Sequence, residues 1–376
     1  MAPPHARRRV EGVRLDRVDW RSLGAEVAAW DALARDASEP NPFFESWYLL
    51  PSLEHLARDL PVSVLRFEQG ERLAGLLPIV RMPRYYRWPI PNIASWVHAN
   101  AFCGAPLVAR GSEEAFWQAV LPWADAHAGT ALFLHLRALP LDGPLYGALA
   151  GTAAREGREL AVVHREARAM LTSDLSPEAY LESSLSGKKR KELRRQTKRL
   201  AEEGELTVER ERGEAGLGAW LDAFLALEAA GWKGKAGSAL SCARETESLF
   251  RDSLSGAARG DRLERLTIRS AGRPIAMLAT FLTPPGAFSF KTAFDESFAR
   301  FSPGVLLQRE NLAVLENPDI AWSDSCAAED HPMIDHFWRE RREIGRVSVA
   351  IGGALRRTAF HHLARRETAR PRQKGK

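Results

Sequence analysis

The order of apolar and polar positions predicts a chain that alternates helices with hairpins. In the first half, apolar residues at helical spacing indicate helices, and alternation with a period of two around Gln69-Gly70 indicates a hairpin. A further segment rich in Pro, Tyr and Trp is expected to be an ordered loop. These segments are a first strand at 15–20, helices at 22–35, 45–60, 113–127 and 141–155, hairpin strands at 61–67 and 73–80, the loop at 81–97, and a strand at 131–136.

The second half repeats this order of elements. Helical spacing and alternation predict a strand at 169–175, a helix from Pro177, a basic helix at 187–203, a strand at 206–211, helices at 217–230 and 249–258, hairpin strands at 263–270 and 274–282, a strand at 288–294, a helix from Val305, a strand at 321–326, a helix at 334–342 and a strand at 347–351. We therefore expect an α/β (α+β) fold with two similar domains, each with a mixed, largely antiparallel sheet flanked by helices. The predicted domains are 15–163 and 164–363, with a disordered tail at 1–14 and a basic tail at 364–376.

Composition narrows the classes of function. The 376 residues are 45% hydrophobic with a net charge of +5, typical of a packed globular protein. The cysteines, an odd number without a CxxC pair, indicate a reducing cytoplasm and argue against a disulfide framework or a zinc site: Cys103, Cys242 and Cys326. No secretory signal or membrane span is expected. No Walker A loop, GxGxxG, HExxH or Ser-His-Asp signature occurs.

One segment predicts an anion site. Phe288, Phe290 and Phe294 alternate as in a strand, Val305 begins a helical pattern, and Arg300-Phe301-Ser302-Pro303-Gly304 lies between them. A helix N-terminus that follows a tight turn presents free N–H groups and the positive end of the helix dipole. Ser302 is the expected N-cap and Pro303 the first helical residue, where its missing N–H costs nothing. Arg300 is placed to add a charge-assisted hydrogen bond to an anion.

A dense run of cations fills the segment 187–203, GKKRKELRRQTKRLAEE. Leu193 and Leu200 give it a narrow apolar stripe, so it is expected to be a helix with a charged outer face. Such a face is usually only solvated, but this density also suits an anionic acceptor, a sugar nucleotide or tRNA phosphates. Lys188 and Lys189 are the candidate contacts. No aromatic residue interrupts the run, which disfavours base stacking.

The motifs from Ser186 onward resemble a known family. SGKKRKELRRQTKRLAEEGELTVER, FLALEAAGWKGKAGSAL and FKTAFDESFARFSPGVLLQREN are similar to the CelD (BcsL)-like branch of the GNAT acyltransferases, which is related to the tandem-domain FemAB peptidyltransferases. FFESWYLL and PVSVLRFEQGERLAGLLPIV resemble the same proteins more loosely.

The resemblance implies an enzyme that transfers an acyl group, such as acetyl, from acyl-CoA to an amine on a small or sugar-linked acceptor, in polysaccharide or cell-envelope synthesis. The coenzyme A diphosphate would lie on the turn made by Arg300, Phe301, Ser302, Pro303, Gly304, Val305 and Leu306. The strand 288–294 would pair with the pantetheine and offer an N–H to the thioester oxygen. GNAT turns usually carry two glycines and this one keeps only Gly304, so aminoacyl-tRNA, the donor of FemAB proteins, stays open as an alternative.

Acyl transfer to an amine needs a group that accepts the amine proton and one that protonates the thiolate. The candidates near the implied cleft are Lys291, Asp295, Glu296 and Asp324, and for the two strand-end carboxylates Asp295 and Glu296 the alternative is simple solvation. Many GNAT enzymes use a tyrosine as the acid; the candidate substitutes are His331 and His336, or no dedicated acid.

Gly231-Trp232-Lys233-Gly234 follows a predicted helix end. It fits either a glycine C-cap with an aromatic lid, or an acceptor wall in which Trp232 stacks on substrate beside Lys233. No metal is expected. A non-catalytic accessory protein of polysaccharide synthesis is the remaining alternative, and the oligomeric state cannot be inferred.

Overall fold

Strands and helices alternate along the chain in the computed structural model, which describes residues 12–329, 331, 334–335 and 337–369. The strands are β1 (Val13–Val18), β2 (Ser63–Gln69), β3 (Arg72–Met82), β4 (Asn92–Ser95), β5 (Leu107–Val108), β6 (Phe133–Pro140), β7 (Leu160–Leu171), β8 (Leu206–Arg212), β9 (Leu263–Ser270), β10 (Arg273–Thr283), β11 (Gly286–Phe294), β12 (Trp322–Asp324) and β13 (Glu340–Ala350). The helices are α1 (Val27–Arg35), α2 (Ser46–Leu56), α3 (Glu113–Ala126), α4 (Pro144–Arg155), α5 (Pro177–Ser184), α6 (Gly187–Glu202), α7 (Leu217–Ala230), α8 (Trp232–Lys235), α9 (Arg244–Arg259), α10 (Pro303–Asn311) and α11 (Ala354–Thr368).

Two sequence-based assignments were wrong. The predicted loop 81–97 contains β4, whose four residues are all buried and show no alternation. The predicted helix 334–342 is not a helix in its described part, because Arg342 and its neighbours belong to β13. Ile334 and Trp338 have helical spacing and are buried, but Ile334 lies in a turn and Trp338 lies in the irregular segment just before β13.

The chain forms two compact units, and each is discontinuous in sequence. Unit 1 consists of the described residues of Met1–Ser46, Asp59–Arg165 and Gly345–Lys376, and unit 2 of Trp47–Arg58 and Glu166–Ile344. This division differs from a single boundary at 163/164, since residues 345–376 join unit 1 and most of α2 joins unit 2. Regular structure also extends into both expected tails, because β1 begins at Val13 and α11 ends at Thr368.

In unit 1, antiparallel pairing joins β1, β2, β3 and β4, and β4 then pairs in parallel with β6. Helix α3 lies between β4 and β6 in the chain and is the crossover that a parallel pair requires. The residues from Gly345 onward are tied to this unit by Arg158, whose guanidinium makes two 2.7 Å contacts with Asp125. Asp125 also accepts the Gly352 N–H at 2.6 Å.

In unit 2, β8, β9, β10 and β11 are antiparallel neighbours, and β11 pairs in parallel with β12 through the crossover helix α10. One face of these strands packs against α5, α6 and α10 through Tyr180, Leu193, Leu200, Leu306 and Leu307. On the other face, rings from α2, α7 and α9 surround the strand residues Phe281 and Phe290: Tyr48, Phe224 and Phe250. Burial of these large side chains stabilises the unit, at roughly 25 cal/mol per Å² of apolar surface removed from water.

Candidate active site in unit 2

Strands β11 and β12 separate soon after they meet. Their parallel pairing covers three positions, from Gly286 opposite Trp322 to Phe288 opposite Asp324, whereas β11 continues to Phe294. Beyond Phe288, β12 therefore no longer supplies hydrogen-bond partners to the edge of β11. An opening of this kind in a sheet leaves backbone groups that can pair with an extended ligand.

A β-bulge lies in β11 at the start of this opening. Ala279 faces Lys291 and Thr280 faces Ser289, so Phe290 is the extra residue on β11. Bulges re-aim side chains and occur often beside active sites. The Phe290 ring is held by Phe281, at 4.6 Å between centroids, and by Tyr48, at 5.7 Å.

Lys291, directly after the bulge, is a half-buried lysine in a cationic and aromatic setting. Its Nζ lies 5.5 Å from the centroid of the Phe290 ring. Burial and the neighbouring Lys233 ammonium lower the pKa of Lys291 to about 8, while Glu228 and Cys326 act in the opposite direction. A lysine with this pKa exchanges its proton near neutral pH, as a general base or acid must.

Glu228 is a buried carboxylate that sequence reasoning did not select. Its Oε1 accepts a hydrogen bond from Lys233 Nζ at 2.7 Å, and its Oε2 accepts one from the Leu240 N–H at 2.8 Å. Lys233 Nζ also lies 3.5 Å from the Thr292 carbonyl oxygen, so the pair connects α7 to the strand that carries Lys291. The signal was present in the sequence, because Glu228 is a lone carboxylate in the apolar run FLALEAA.

Asp324 is completely buried in an ion network. Arg168 lies 3.5 Å and Arg342 3.4 Å from its two carboxylate oxygens, and its Oδ1 accepts the Cys326 N–H at 2.8 Å. Arg342 also stacks 4.5 Å from the centroid of the Trp322 ring. The hydrogen bond from the Cys326 N–H to Asp324 positions the chain at Cys326.

The turn before α10 differs in detail from the expected N-cap. Ser302 is in the left-handed region (φ 54°) and its side chain makes no capping hydrogen bond. Its carbonyl oxygen accepts the N–H groups of Val305 at 2.9 Å and Leu306 at 3.1 Å, and its own N–H donates to Ala299. Within the described residues, the N–H of Gly304 has no backbone acceptor. Phe301, Pro303, Gly304 and Leu306 are buried, and Arg300 is exposed and paired with Glu203 at 2.7 Å.

The remaining candidates are spread over the surface of unit 2. The Asp295 side chain accepts the Ser297 N–H at 2.9 Å and pairs with Arg273, so it caps the 3-10 helix Glu296–Phe301. Trp232 is 57% exposed at the surface. Lys188 and Lys189 are exposed in the first turn of α6.

His331 is half-buried. Burial and the neighbouring Lys233 lower the pKa of His331, whereas Asp335 raises it. The net effect is a lowered pKa, which favours the neutral imidazole. His336 lies outside the described residues. In the described part of the chain, no group of His, Cys, Asp and Glu side chains is arranged to hold a metal ion, and no helix has the length and apolar character to span a membrane.

Part of the chain matches a known protein family. The family model described as an acetyltransferase (GNAT) domain matches residues 187–331, which include α6, α7, β11, α10 and β12. No curated protein matches the sequence.

Solved structures extend the likeness over most of the chain. FemX superposes with a TM-score of 0.57 at 10% identity, over 90% of this chain and 98% of its own. The C-terminal domain of a candidate lysylphosphatidylglycerol synthetase from Agrobacterium fabrum gives 0.54 at 13%, over 90% and 95%. A conserved protein of unknown function from Bacteroides thetaiotaomicron gives 0.54 at 11%, over 86% and 97%. These likenesses show the fold, and the expected mixed α/β, FemAB-like GNAT architecture is confirmed.

Proposed function

We propose that this protein is an N-acyltransferase that moves an acyl group, such as acetyl, from acyl-CoA to an amine of a small or sugar-linked acceptor. The observation that carries the proposal is the opening between β11 and β12 with the Phe290 bulge and Lys291 beside it, inside the GNAT domain. In this proposal the pantetheine arm of the donor pairs with the free edge of β11. A backbone N–H at the bulge then donates to the thioester oxygen as negative charge develops there.

The proposed reaction is direct transfer. The acceptor nitrogen attacks the thioester carbonyl carbon, the C–N bond forms, the C–S bond breaks and the electron pair leaves with the thiolate. Lys291, in its neutral form, takes the proton that the amine loses and returns it to the thiolate, so no net proton is gained or lost. A pKa of about 8 for Lys291 suits both halves of this exchange.

The remaining site residues take supporting roles in this proposal. Arg300 and the turn through Leu306 receive the diphosphate, with the Gly304 N–H as donor and the basic helix α6 packed against the preceding 3-10 helix. Trp232 and Lys233 border the acceptor, and the exposed Trp232 ring offers a stacking face. Asp324 positions the chain at Cys326, and Asp295 caps the 3-10 helix Glu296–Phe301 that leads into the turn. A cytoplasmic place in exopolysaccharide or cell-envelope synthesis, as in CelD-like proteins, belongs to the same proposal.

The test is a thermal-shift series with acetyl-CoA and longer acyl-CoAs, followed by thiol release with a panel of amines. We expect acyl-CoA to raise the melting temperature of the wild type and not that of Gly304→Glu, whose carboxylate would occupy and repel the diphosphate position. Gly234→Glu is unsuitable as a control because its Cβ would clash with the Ala229 carbonyl at 1.8 Å. Gly218→Glu, where a Cβ meets open space, is the matched control. Absence of a shift with every acyl-CoA would refute this donor.

A second donor, aminoacyl-tRNA, is favoured by one observation. Lys188, Lys191, Arg194, Arg195, Lys198 and Arg199 share the exposed face of α6 opposite Leu193 and Leu200. A tRNA contact there would weaken steeply with salt, by a log–log slope of about −0.7 to −0.9 per phosphate neutralised. Replacing Lys188, Lys189 and Lys191 by Gln should then lower both the affinity and the slope. Tight acyl-CoA binding without any tRNA binding would exclude this donor.

A further inference from the structure

Two arginines of unit 1 point to a site that the acyltransferase proposal does not use. His135 Nδ1 and Ser348 Oγ are 3.0 Å apart and join the neighbouring strands β6 and β13. Arg137 lies two residues after His135, and Arg346 lies two residues before Ser348. Because side chains alternate along a strand, both guanidinium groups project from the same face as this hydrogen bond.

Both arginines use neutral hydrogen-bond acceptors. Arg137 Nη1 donates to the Val97 carbonyl at 2.9 Å, and Arg346 Nη1 donates to the Tyr86 hydroxyl at 2.7 Å. Within the part of the chain that the structure describes, neither forms an ion pair. Burial and repulsion from Arg346 lower the pKa of Arg137, so the two charges act on one another directly. Two like charges held together without a carboxylate form a site that an anion would stabilise.

A rigid turn holds Tyr86 beside this pair. Tyr85 and Trp88 exchange two backbone hydrogen bonds of 3.0 Å, which fixes Tyr86 and Arg87 at the tip of the turn. Tyr85 anchors the turn because its ring is buried against Phe133, 4.9 Å between centroids, and its hydroxyl donates to Glu367 at 2.6 Å. Tyr86 and Trp88 remain 55% and 49% exposed.

The neighbouring histidine does not add a third charge. Burial, Arg137 and Arg346 lower the pKa of His135 to about 3, so the imidazole is neutral at physiological pH. The site thus carries two fixed positive charges and a hydroxyl, with exposed aromatic rings at its border. Planar guanidinium groups match the oxygens of a phosphate, and a pair of them matches a dianion.

We propose that Arg137, Arg346 and Tyr86 form a binding site for a phosphate group. The group belongs either to a soluble phosphoester or to a lipid headgroup, and Tyr86 and Trp88 pack against the organic part of the same ligand. The site lies wholly in unit 1, so it does not depend on the acyl donor that unit 2 takes.

The experiment measures binding of inorganic pyrophosphate by calorimetry and, in a second arm, sedimentation with phosphatidylglycerol vesicles against phosphatidylcholine vesicles. The variants of the full chain are Arg137→Gln, Arg346→Gln and Tyr86→Phe. The control is Arg110→Gln, an exposed arginine of the same unit with the same loss of charge. Each variant is first shown to keep the wild-type melting temperature within a few degrees, and Arg137→Lys or Arg346→Lys replaces the Gln variant at a position where it does not.

We expect each arginine variant to lose about tenfold or more in affinity, and Arg110→Gln to lose little. If the arginine variants lose affinity for pyrophosphate, the ligand is a soluble phosphoester. If they lose affinity only for the phosphatidylglycerol vesicles, the ligand is a lipid headgroup. No binding in either arm, or equal losses in Arg110→Gln, overturns the site. Acetyl-CoA binding, tested through Gly304→Glu, stays a separate readout, so failure here leaves the acyltransferase proposal standing.

Discussion

Each unit contains a parallel strand–helix–strand crossover, and the two differ at the start of the helix. In unit 1, α3 begins with Glu113 and Glu114, and Glu113 Oε1 accepts the Gly111 N–H at 3.1 Å. In unit 2, α10 begins with Pro303 and has no acidic residue in its first turn. In unit 1 the carboxylates at the start of α3 would therefore repel an anion, whereas the start of α10 in unit 2 carries no such charge.

The strands that precede these helices differ as well. β4 pairs with β3 in an unbroken register and ends at Ser95, whose hydroxyl accepts the Arg137 N–H at 2.8 Å. β11 is longer, carries the bulge at Phe290 and presents Lys291. In the proposed function, donor binding therefore depends on a few residues of one crossover and not on the topology that both units share.

The largest expected effect is on the chemical step. Lys291→Met keeps the length of the side chain but removes the titrating group, so we expect kcat to fall by about 10²-fold or more, as is typical when a general base is lost. Stopped-time thiol release measures it. Lys235→Met, an exposed lysine of unit 2, should retain activity. Unchanged kcat in Lys291→Met would remove the lysine from the mechanism.

The next largest effect is expected from substitutions at the starts of α10 and α3. Gly304→Glu should weaken acyl-CoA binding by about tenfold or more through charge repulsion and occupation of the site. In unit 1, Glu113→Gln should leave acyl-CoA affinity unchanged. Calorimetric titration of both variants measures the difference. Equal effects at the two positions would contradict the assignment of the donor site to unit 2.

The pH dependence of stability should separate the units. His135 has a folded pKa of about 3, below its unfolded value, so the unfolded chain binds the proton first as pH falls below about 6.5. Unit 1 should therefore lose up to about 1.4 kcal/mol of stability per pH unit below that point. Hydrogen exchange at pH 7 and pH 5 measures it, and His135→Gln should lose less.

Lys291 predicts the same direction of change for unit 2, but in a pH window several units higher. Its folded pKa of about 8 lies below the unfolded value, so the folded state releases its proton first as pH rises. The stability of unit 2 should therefore increase with pH between about 8 and 10.4. Denaturant unfolding of wild type and Lys291→Met across this range measures the difference, since the variant should show no such increase from this position.

Glu228→Gln should cost about 1–3 kcal/mol of stability, because a buried charged hydrogen bond to Lys233 is lost. Glu228 also raises the pKa of Lys291, so its removal should shift the rising limb of the pH–rate profile to lower pH. Equilibrium unfolding and a pH profile of kcat/KM measure the two effects. Glu247→Gln is the control, because the Glu247 side chain is 34% exposed.

The smallest expected effect is at Arg300. Its ion pair with Glu203 is solvent-exposed, so Arg300→Ala should change the free energy of unfolding by less than about 1 kcal/mol. If Arg300 also contacts the donor, acyl-CoA affinity should fall while stability does not. A fall in both together would indicate a structural role.

Sequence patterns predicted the elements whose apolar faces are regular. The hairpins β2–β3 and β9–β10 and the helices α6 and α7 were found close to their expected bounds, because local spacing and Gly turns specify them. β4 escaped detection because its four residues are all buried and leave no alternation. The segment 334–342 was wrongly predicted to be a helix, because buried residues in a turn, in the segment after it and in β13 share helical spacing.

The site was harder to predict because its chemistry depends on residues far apart in the chain. Lys291 could be selected as a charged residue among aromatics, but its pKa is lowered by burial and by the ammonium of Lys233, which pairs with Glu228. The bulge at Phe290 is a property of register with β10 and has no local sequence signature. Asp324 was selected as a catalytic acid or base, yet its arginine partners at 168 and 342 come from two other strands.

The division of the chain has a consequence for synthesis on the ribosome. All segments of unit 2 precede Gly345, whereas the described residues of unit 1 include 345–369 in addition to its earlier segments. Unit 1 therefore contains both the first and the last segments that are synthesised. A nascent chain that stalls after residue 344 would hold every residue of unit 2 and only part of unit 1.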